Sequence, residues 1–374
     1  MARSKKSSPI SEREKLLPIP PRIWRHHRAH LEPRMREWFE KKAIPQSMLW
    51  TGPRGIGKRT LAHYLVQWIH CENCGWGAVS EDTQAQDLFG ALDTQAAAGV
   101  KREFRVPCGE CSACRRAIAQ QALDFIEVLP ESSTESGPAT IKIDQLREIR
   151  ESQGFGAHEG PLKVVLIAEA DAMTTQASNA LLKILEEPPR GWVFILTARD
   201  PSLVLPTLLS RCMRFRLMPM PVVEIAELLR EQGTDHERAE FASRLSQGSL
   251  GRALKLAEDN AWEQREKVMR LLEKPATELS ALVDWASSEV SQLQMLCDFL
   301  EAAAYDCMRL KLQSATSTLF PHARISLIAA RNPHALWSAL AERIAEVRGQ
   351  LEAPLNKKLL VQSLLLPLLE IRER

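Results

Sequence analysis

The sequence predicts an α/β domain built on a mainly parallel sheet, joined to a region made only of helices. Three observations carry that prediction. Short β-rich apolar runs alternate with helical patterns as far as about residue 217. One of those runs stops at a glycine-rich loop that opens a helix. Past "MPMP" (218–221) the strand signals cease.

The expected strands are "SMLWT" (47–51), "FIEVL" (125–129), "KVVLIAEA" (163–170), "WVFILTA" (192–198) and "MRFRL" (213–217). Helical patterns such as "KRTLAHYLVQWI", "IDQLREIRESQ" and "TTQASNALLKILEE" lie between them, the last stopped by Pro188 and Pro189. Residues 222–256 carry short helical patterns, and from about 261 every stretch reads as amphipathic helix. The expected layout is a flexible tail over 1–20, a nucleotide-binding-type domain over 21–218, a helical lid over 219–258 and a C-terminal helical domain over 259–374. The weakly patterned stretch 75–107 reads as an insertion between two cysteine groups.

At 374 residues the chain has room for two or three cores. A formal charge of +2 supplies no global reason for a polyanionic partner. No run of about 18 apolar residues is present, so no membrane-spanning helix is expected. "MARSKKSSPISEREK" is basic but has no apolar core, and reads as a disordered tail rather than a secretory signal. The expected compartment is therefore the cytoplasm, where thiols stay reduced.

"GPRGIGKRT" (52–60) is nearly a phosphate-binding loop. Such a loop surrounds phosphates with backbone N–H groups while its lysine neutralises their charge. Gly52, Gly55, Gly57 and Lys58 are in place for that task. The next residue should offer a hydroxyl to Mg²⁺, and here it is Arg59, which cannot ligate a cation. Thr60 has a hydroxyl, but one helical step turns it about 100° away. The partner carboxylate should end a buried strand, yet Ala168 follows the run Val164–Ile167. Glu169 can orient a water but lacks a metal to act with. Two independent changes thus fall on one ion, with Asp171 or Thr60 as the alternative ligands.

Five of the eight cysteines fall between 71 and 114. Cys108, Cys111 and Cys114 are spaced so that one knuckle presents three sulfurs to a tetrahedral Zn²⁺, and Cys71 or Cys74 supplies the fourth. Four thiolates close the coordination sphere, which makes such a site structural. Buried thiols without metal are the competing reading. In "LLSRCMRF", Arg211 stands at a helix end before a strand. A lone arginine there is by default a solvated surface charge; the functional alternative is an arginine finger, a cation offered to the γ-phosphate on a neighbouring subunit.

"GPRGIGKRTLA", "CGECSAC", "IKIDQLREI", "NALLKILEEPP" and "LPTLLSRC", in this order from about 46 to 217, resemble the bacterial DNA polymerase III clamp-loader subunits of the AAA+ superfamily. The closing "NKKLLVQSLLLPLL" is similar to the last helix of that family's collar domain. The resemblance implies a P-loop AAA+ domain with an inserted zinc knuckle over 71–114, a helical lid, and a helical collar for oligomerisation over 259–374. Of the family's subunit types, gamma/tau is the ATPase motor, while delta-prime is a rigid partner with a degraded nucleotide site. Arg59 and Ala168 match delta-prime, as does the intact Arg211 of its "SRC" motif, and the chain has no length for the extension of tau. The implied role is a subunit that does not itself hydrolyse ATP but offers Arg211 in trans to a neighbouring ATPase. ATP or ADP can still be held by Gly52, Gly55, Gly57, Lys58 and Thr60, with Arg252 of "GSLGRAL" at the sensor-2 position. Sensor 1 falls at Ala198 or Arg199. The family's zinc ligands align with Cys71, Cys108, Cys111 and Cys114, leaving Cys74 extra. The implied partners are gamma/tau and delta in a hetero-pentamer, with the sliding clamp and primer–template DNA reached through the complex, and no membrane. The alternative is an active gamma-type ATPase. A zinc-dependent nucleic-acid module is weaker, because few aromatics lie near the cysteines and Arg211, Arg214 and Arg216 make only a small basic cluster.

Overall fold

The computed structural model describes residues 21–73, 76, 104–132, 139–151, 156–158, 160–312, 318–351 and 356–370. The expected tail over 1–20, Cys74 and most of the 75–107 insertion lie outside the described residues.

The five apolar runs become strands β1 (Ser47–Thr51), β2 (Phe125–Val128), β5 (Lys163–Ile167), β6 (Trp192–Ala198) and β7 (Met213–Arg216). A short antiparallel pair, β3 (Glu131–Ser132) with β4 (Ala139–Thr140), stands apart from them. The five pair in the order β2-β5-β6-β1-β7, and every pairing is parallel. All residues of β1, β5 and β6 are buried, as their mostly apolar sequences require of strands covered on both faces. The edge strands β2 and β7 admit charged residues and are only partly buried.

Helix α1 (Pro21–Lys41) precedes β1, α2 (Lys58–His70) follows the glycine loop, and α3 (Ser112–Ile118) carries the cysteine knuckle. Next come α4 (Ile143–Glu151), α5 (Thr175–Glu186) and the single-turn α6 (Pro206–Leu209). α5 begins where Thr174 Oγ1 accepts the Ala177 N–H at 3.2 Å and ends just before Pro188. Leu181 and Ile184 of α5 and Leu146 and Ile149 of α4 join Val165, Phe194 and Leu196 in the core beneath the sheet. From β1 the chain crosses to the far edge at β2, returns strand by strand to β6, and then adds β7 on the other side of β1. The glycine loop leaves the carboxyl end of β1, where strand order reverses, which is where open α/β sheets bind ligands.

The chain divides into two compact units. The first, Met1–Gly52, Gly57–Leu129 and Ile141–Leu217, holds the parallel sheet. The second comprises Pro53–Ile56, Pro130–Thr140 and Met218–Arg374. Its helices are α7 (Val222–Glu231), α8 (His236–Leu245), α9 (Leu250–Ala257), α10 (Asp259–Glu273), α11 (Pro275–Ser288), α12 (Val290–Lys311), α13 (His322–Arg331), α14 (His334–Gln350) and α15 (Lys357–Leu365). α12 is buried along much of its length by Leu293, Leu296, Phe299, Leu300 and Ala303, and packs against α13 and α14. Arg265 of α10 is buried with its guanidinium 4.2–5.2 Å from the Trp262, Phe241 and Phe320 ring centroids. Among the described residues no helix is long and apolar enough to cross a membrane.

Candidate functional site

The loop after β1 takes conformations that only glycine adopts without strain: φ is 75° at Gly55 and 95° at Gly57. Lys58 opens α2 with a buried side chain, and its Nζ donates to the Gly52 carbonyl at 2.7 Å. Arg59 leaves the loop sideways. Its Nε lies 2.5 Å from Glu127 Oε1 and its Nη2 2.7 Å from Oε2, a two-point pair with β2. His63, one helical turn further on, bonds the same Oε1 at 3.1 Å. Burial alone would push the Glu127 carboxyl up, but the bonds from His63 and Arg59 hold it at about 2. Thr60 is half-buried on α2.

Ala168, the residue after β5, is a buried methyl with its N–H bonded to the Val128 carbonyl at 2.9 Å. The strand stops at Ile167 rather than at the expected Ala170. Glu169 turns left-handed at φ 56° while its N–H donates to Thr197 Oγ1 at 3.0 Å, and Ala170–Ala172 forms a 3₁₀ turn. The Asp171 side chain is buried and takes a 2.6 Å bond from Arg199 Nε through Oδ2, while Oδ1 has no partner among the described residues. The donor set therefore offers phosphate a glycine loop and a lysine. It offers Mg²⁺ no hydroxyl at 59 and no carboxylate at 168, and Asp171 is already engaged by a guanidinium.

In the second unit, Gly55 is seated against the start of α9. Its carbonyl accepts the Gly251 N–H at 3.0 Å, and a Cβ on it would fall 2.2 Å from Ser249 Oγ. Arg252 lies on the same first turn, its backbone N–H capped by Ser249 Oγ at 3.2 Å. Its side chain pairs with Asp298 of α12 at 2.5 Å.

Four sulfurs, those of Cys71, Cys108, Cys111 and Cys114, lie within 4.8 Å of one another. Cys71 stands at the end of α2, and Cys111 caps α3 by accepting the Cys114 N–H at 3.4 Å. Backbone N–H groups of Cys108 and Cys111 likewise point at the sulfurs of Cys71 and Cys108, at 3.5 and 3.4 Å. Zn–S bonds of about 2.3 Å in a tetrahedron imply S–S edges of about 3.8 Å. The Cys71–Cys108 and Cys108–Cys114 separations are 3.7 and 3.9 Å, which fits a tetrahedral thiolate site and is far too long for a disulfide.

Arg211 follows α6 with its side chain about a third exposed. Nη2 donates to Glu186 Oε1 at 2.6 Å, and Nη1 to the Thr207 carbonyl at 3.0 Å. Glu186 is the last residue of α5, so the "ILEEPP" and "SRC" segments meet at this pair.

Glu127, His63, Glu186 and Asp298 are absent from the sequence-level set. Two of them carried a signal: Glu127 interrupts the apolar run "FIEVL", and Asp298 interrupts "MLCDFL".

The parallel sheet with a glycine loop at the carboxyl end of β1 makes the first unit an α/β fold of the phosphate-binding-loop type, and the second unit is rich in helices. A family model described as DNA polymerase III, delta subunit, matches residues 79–221. The delta-prime subunit of Escherichia coli K12 is 37% identical over 166 residues, covering 44% of this chain and 48% of the relative. The Pseudomonas aeruginosa delta-prime subunit is 32% identical over 226 residues, covering 60% of this chain and 59% of the relative. The tau subunit of E. coli K12 is 31% identical over 221 residues, covering 58% of this chain and 29% of the relative. The chain thus spans about half the length of its curated delta-prime relatives and less of tau. A gamma subunit-related protein of Thermotoga maritima, of known structure, aligns over 92% of this chain and 99% of its own at 19% identity, with a TM-score of 0.42. The sequence matches make this chain similar, over part of their length, to the delta-prime and tau subunits of DNA polymerase III.

Proposed function

We propose that this chain is a delta-prime-type subunit of the DNA polymerase III clamp loader, a scaffold that does not itself hydrolyse ATP. The observation that carries the reading is the two-point Arg59–Glu127 pair beside a glycine loop whose Mg²⁺-ligand positions hold Arg59 and Ala168. The loop keeps the means to hold ATP or ADP through Gly52, Gly55, Gly57, Lys58 and Thr60, with Arg252 as a further phosphate contact. Zinc in Cys71, Cys108, Cys111 and Cys114 is structural; it ties α2 to α3 and takes no part in the chemistry.

In this reading Arg211 acts in trans. Its guanidinium exchanges Glu186 for the γ-phosphate of ATP on a neighbouring gamma/tau subunit and stabilises the charge that develops there. With delta and gamma/tau, the chain then serves to load the sliding clamp on primer–template DNA. The lid over 219–258 and the collar over 259–374 belong to the same proposal.

The test is ATPase of the complex reconstituted with the cognate subunits. Arg211→Ala is expected to lower turnover by about 10²-fold or more, while Lys58→Ala leaves it near wild type. Wild-type turnover by the Arg211→Ala complex would overturn the finger role. Turnover by the isolated chain, abolished by Lys58→Ala, would favour an active gamma-type ATPase instead.

A further inference from the structure

Arg59, Arg199 and Arg211 of the first unit each pair with a carboxylate from another element, and they are held differently. Arg59 makes a two-point pair with Glu127, whose side chain is 15% exposed, and Arg199 pairs with Asp171, whose side chain is 1% exposed. Arg211 meets Glu186 through Nη2 alone, at 2.6 Å, and these two side chains are 35% and 49% exposed. Its other contacts come from its own turn: Nη1 lies 3.0 Å from the Thr207 carbonyl and 3.4 Å from Ser210 Oγ.

Glu186 is also misplaced as a helix residue. α5 ends in Glu186, Glu187 is its cap, and Lys183 is the one basic residue of the last turn. The carboxyl end of a helix carries partial negative charge and favours cations, so a carboxylate there costs stability unless a cation meets it. Arg211 is that cation. A pair this open to water is weak and exchanges readily, whereas the buried Glu127 and Asp171 would be strongly destabilised by losing their guanidinium. Of the three arginines, Arg211 is therefore the one that can change partner.

We infer that Glu186 is a positioning residue that stores the Arg211 guanidinium and competes for it with the γ-phosphate of ATP on the neighbouring subunit. ATP draws Nη2 off Glu186, because a γ-phosphate offers more charge and more acceptor oxygens than one carboxylate. A neighbour holding ADP presents no γ-phosphate, and the guanidinium stays on Glu186. The single-point pair thus makes engagement of the finger conditional on the triphosphate. This rests on the reading of Arg211 as a finger in trans.

The experiment is steady-state ATPase of the complex reconstituted with its cognate subunits, carrying this chain as wild type, Glu186→Gln, Glu186→Ala, Arg211→Ala or the Arg211→Ala/Glu186→Gln double variant. Glu186→Gln keeps the shape and removes the competing charge, so KM for ATP is expected to fall about threefold, the change lying in KM rather than in kcat. The double variant is expected to match Arg211→Ala alone. If Arg211→Ala lowers turnover while the Glu186 variants keep the wild-type KM or raise it, the inference fails and the finger reading stands. A KM shift that persists in the Arg211→Ala background would equally overturn the inference. If the Arg211→Ala complex turns over as wild type, both fail. Should Glu186→Gln not fold, Glu186→Ala decides, since it removes the same charge.

Discussion

Arg59 and Glu127 form a two-point ion pair between the helix that follows the glycine loop and the edge strand β2, with N···O distances of 2.5 and 2.7 Å. Both side chains are mostly buried, so each charge depends on the other for stabilisation. The residue type that removes the Mg²⁺ hydroxyl is thus also a fastener between α2 and the sheet.

Arg59→Ala leaves Glu127 buried with His63 as its remaining partner among the described residues, and should cost about 2–4 kcal/mol. Urea unfolding at neutral pH measures this. Arg59→Thr restores the consensus hydroxyl but leaves Ala168 in place and Asp171 bonded to Arg199. It should lose comparable stability without gaining Mg²⁺-dependent phosphate release from ATP.

The pair also sets an acid limit on stability. Glu127 titrates at about 2 in the folded chain, below its ordinary value of 4.5. A depressed folded value means the stabilisation is complete above about 4.5 and is lost as pH falls toward 2, on the order of 3 kcal/mol in all. Unfolding free energies over that window should fall less steeply for Glu127→Gln than for wild type.

Metal analysis of the purified chain should find about one zinc per molecule. Cys71→Ser and Cys114→Ser should lose it, while Cys74→Ser should retain it, since the four gathered sulfurs include Cys71. Chelation should lower Tm, because the metal joins α2 to the Cys108–Cys114 knuckle.

Gly55→Ala must place a Cβ at φ 75° and 2.2 Å from Ser249 Oγ. A loss of about 1–3 kcal/mol is expected. Ser249→Ala in the same background removes the clash, so a double-mutant cycle should show the two losses adding to less than their sum. Full additivity would mean that the loop tip does not rest on α9.

Local periodicity carried most of the fold. The mostly apolar runs of β1, β5 and β6 are legible because central parallel strands are covered on both faces. The end of α5 is legible because proline cannot continue a helix. The early end of β5 is not legible: Glu169 turns left-handed where its N–H meets Thr197, a residue on another strand. Charge partners were also hidden, since Arg59 and Glu127 are 68 residues apart and no local pattern links them.

By itself the sequence determined which residue types stand at each position of the glycine loop, the cysteine knuckle and the "SRC" turn. That is chemistry written in short spacings: Arg59 cannot ligate Mg²⁺, and Cys108, Cys111 and Cys114 recur every third residue. Only the tertiary structure decided what each of those residues holds. It brought Cys71 to the other three sulfurs, turned Arg59 onto Glu127, and placed Arg252 against Asp298 and Arg211 against Glu186. These choices arise where distant elements meet, because a charge removed from water must find whichever opposite charge the packing places beside it.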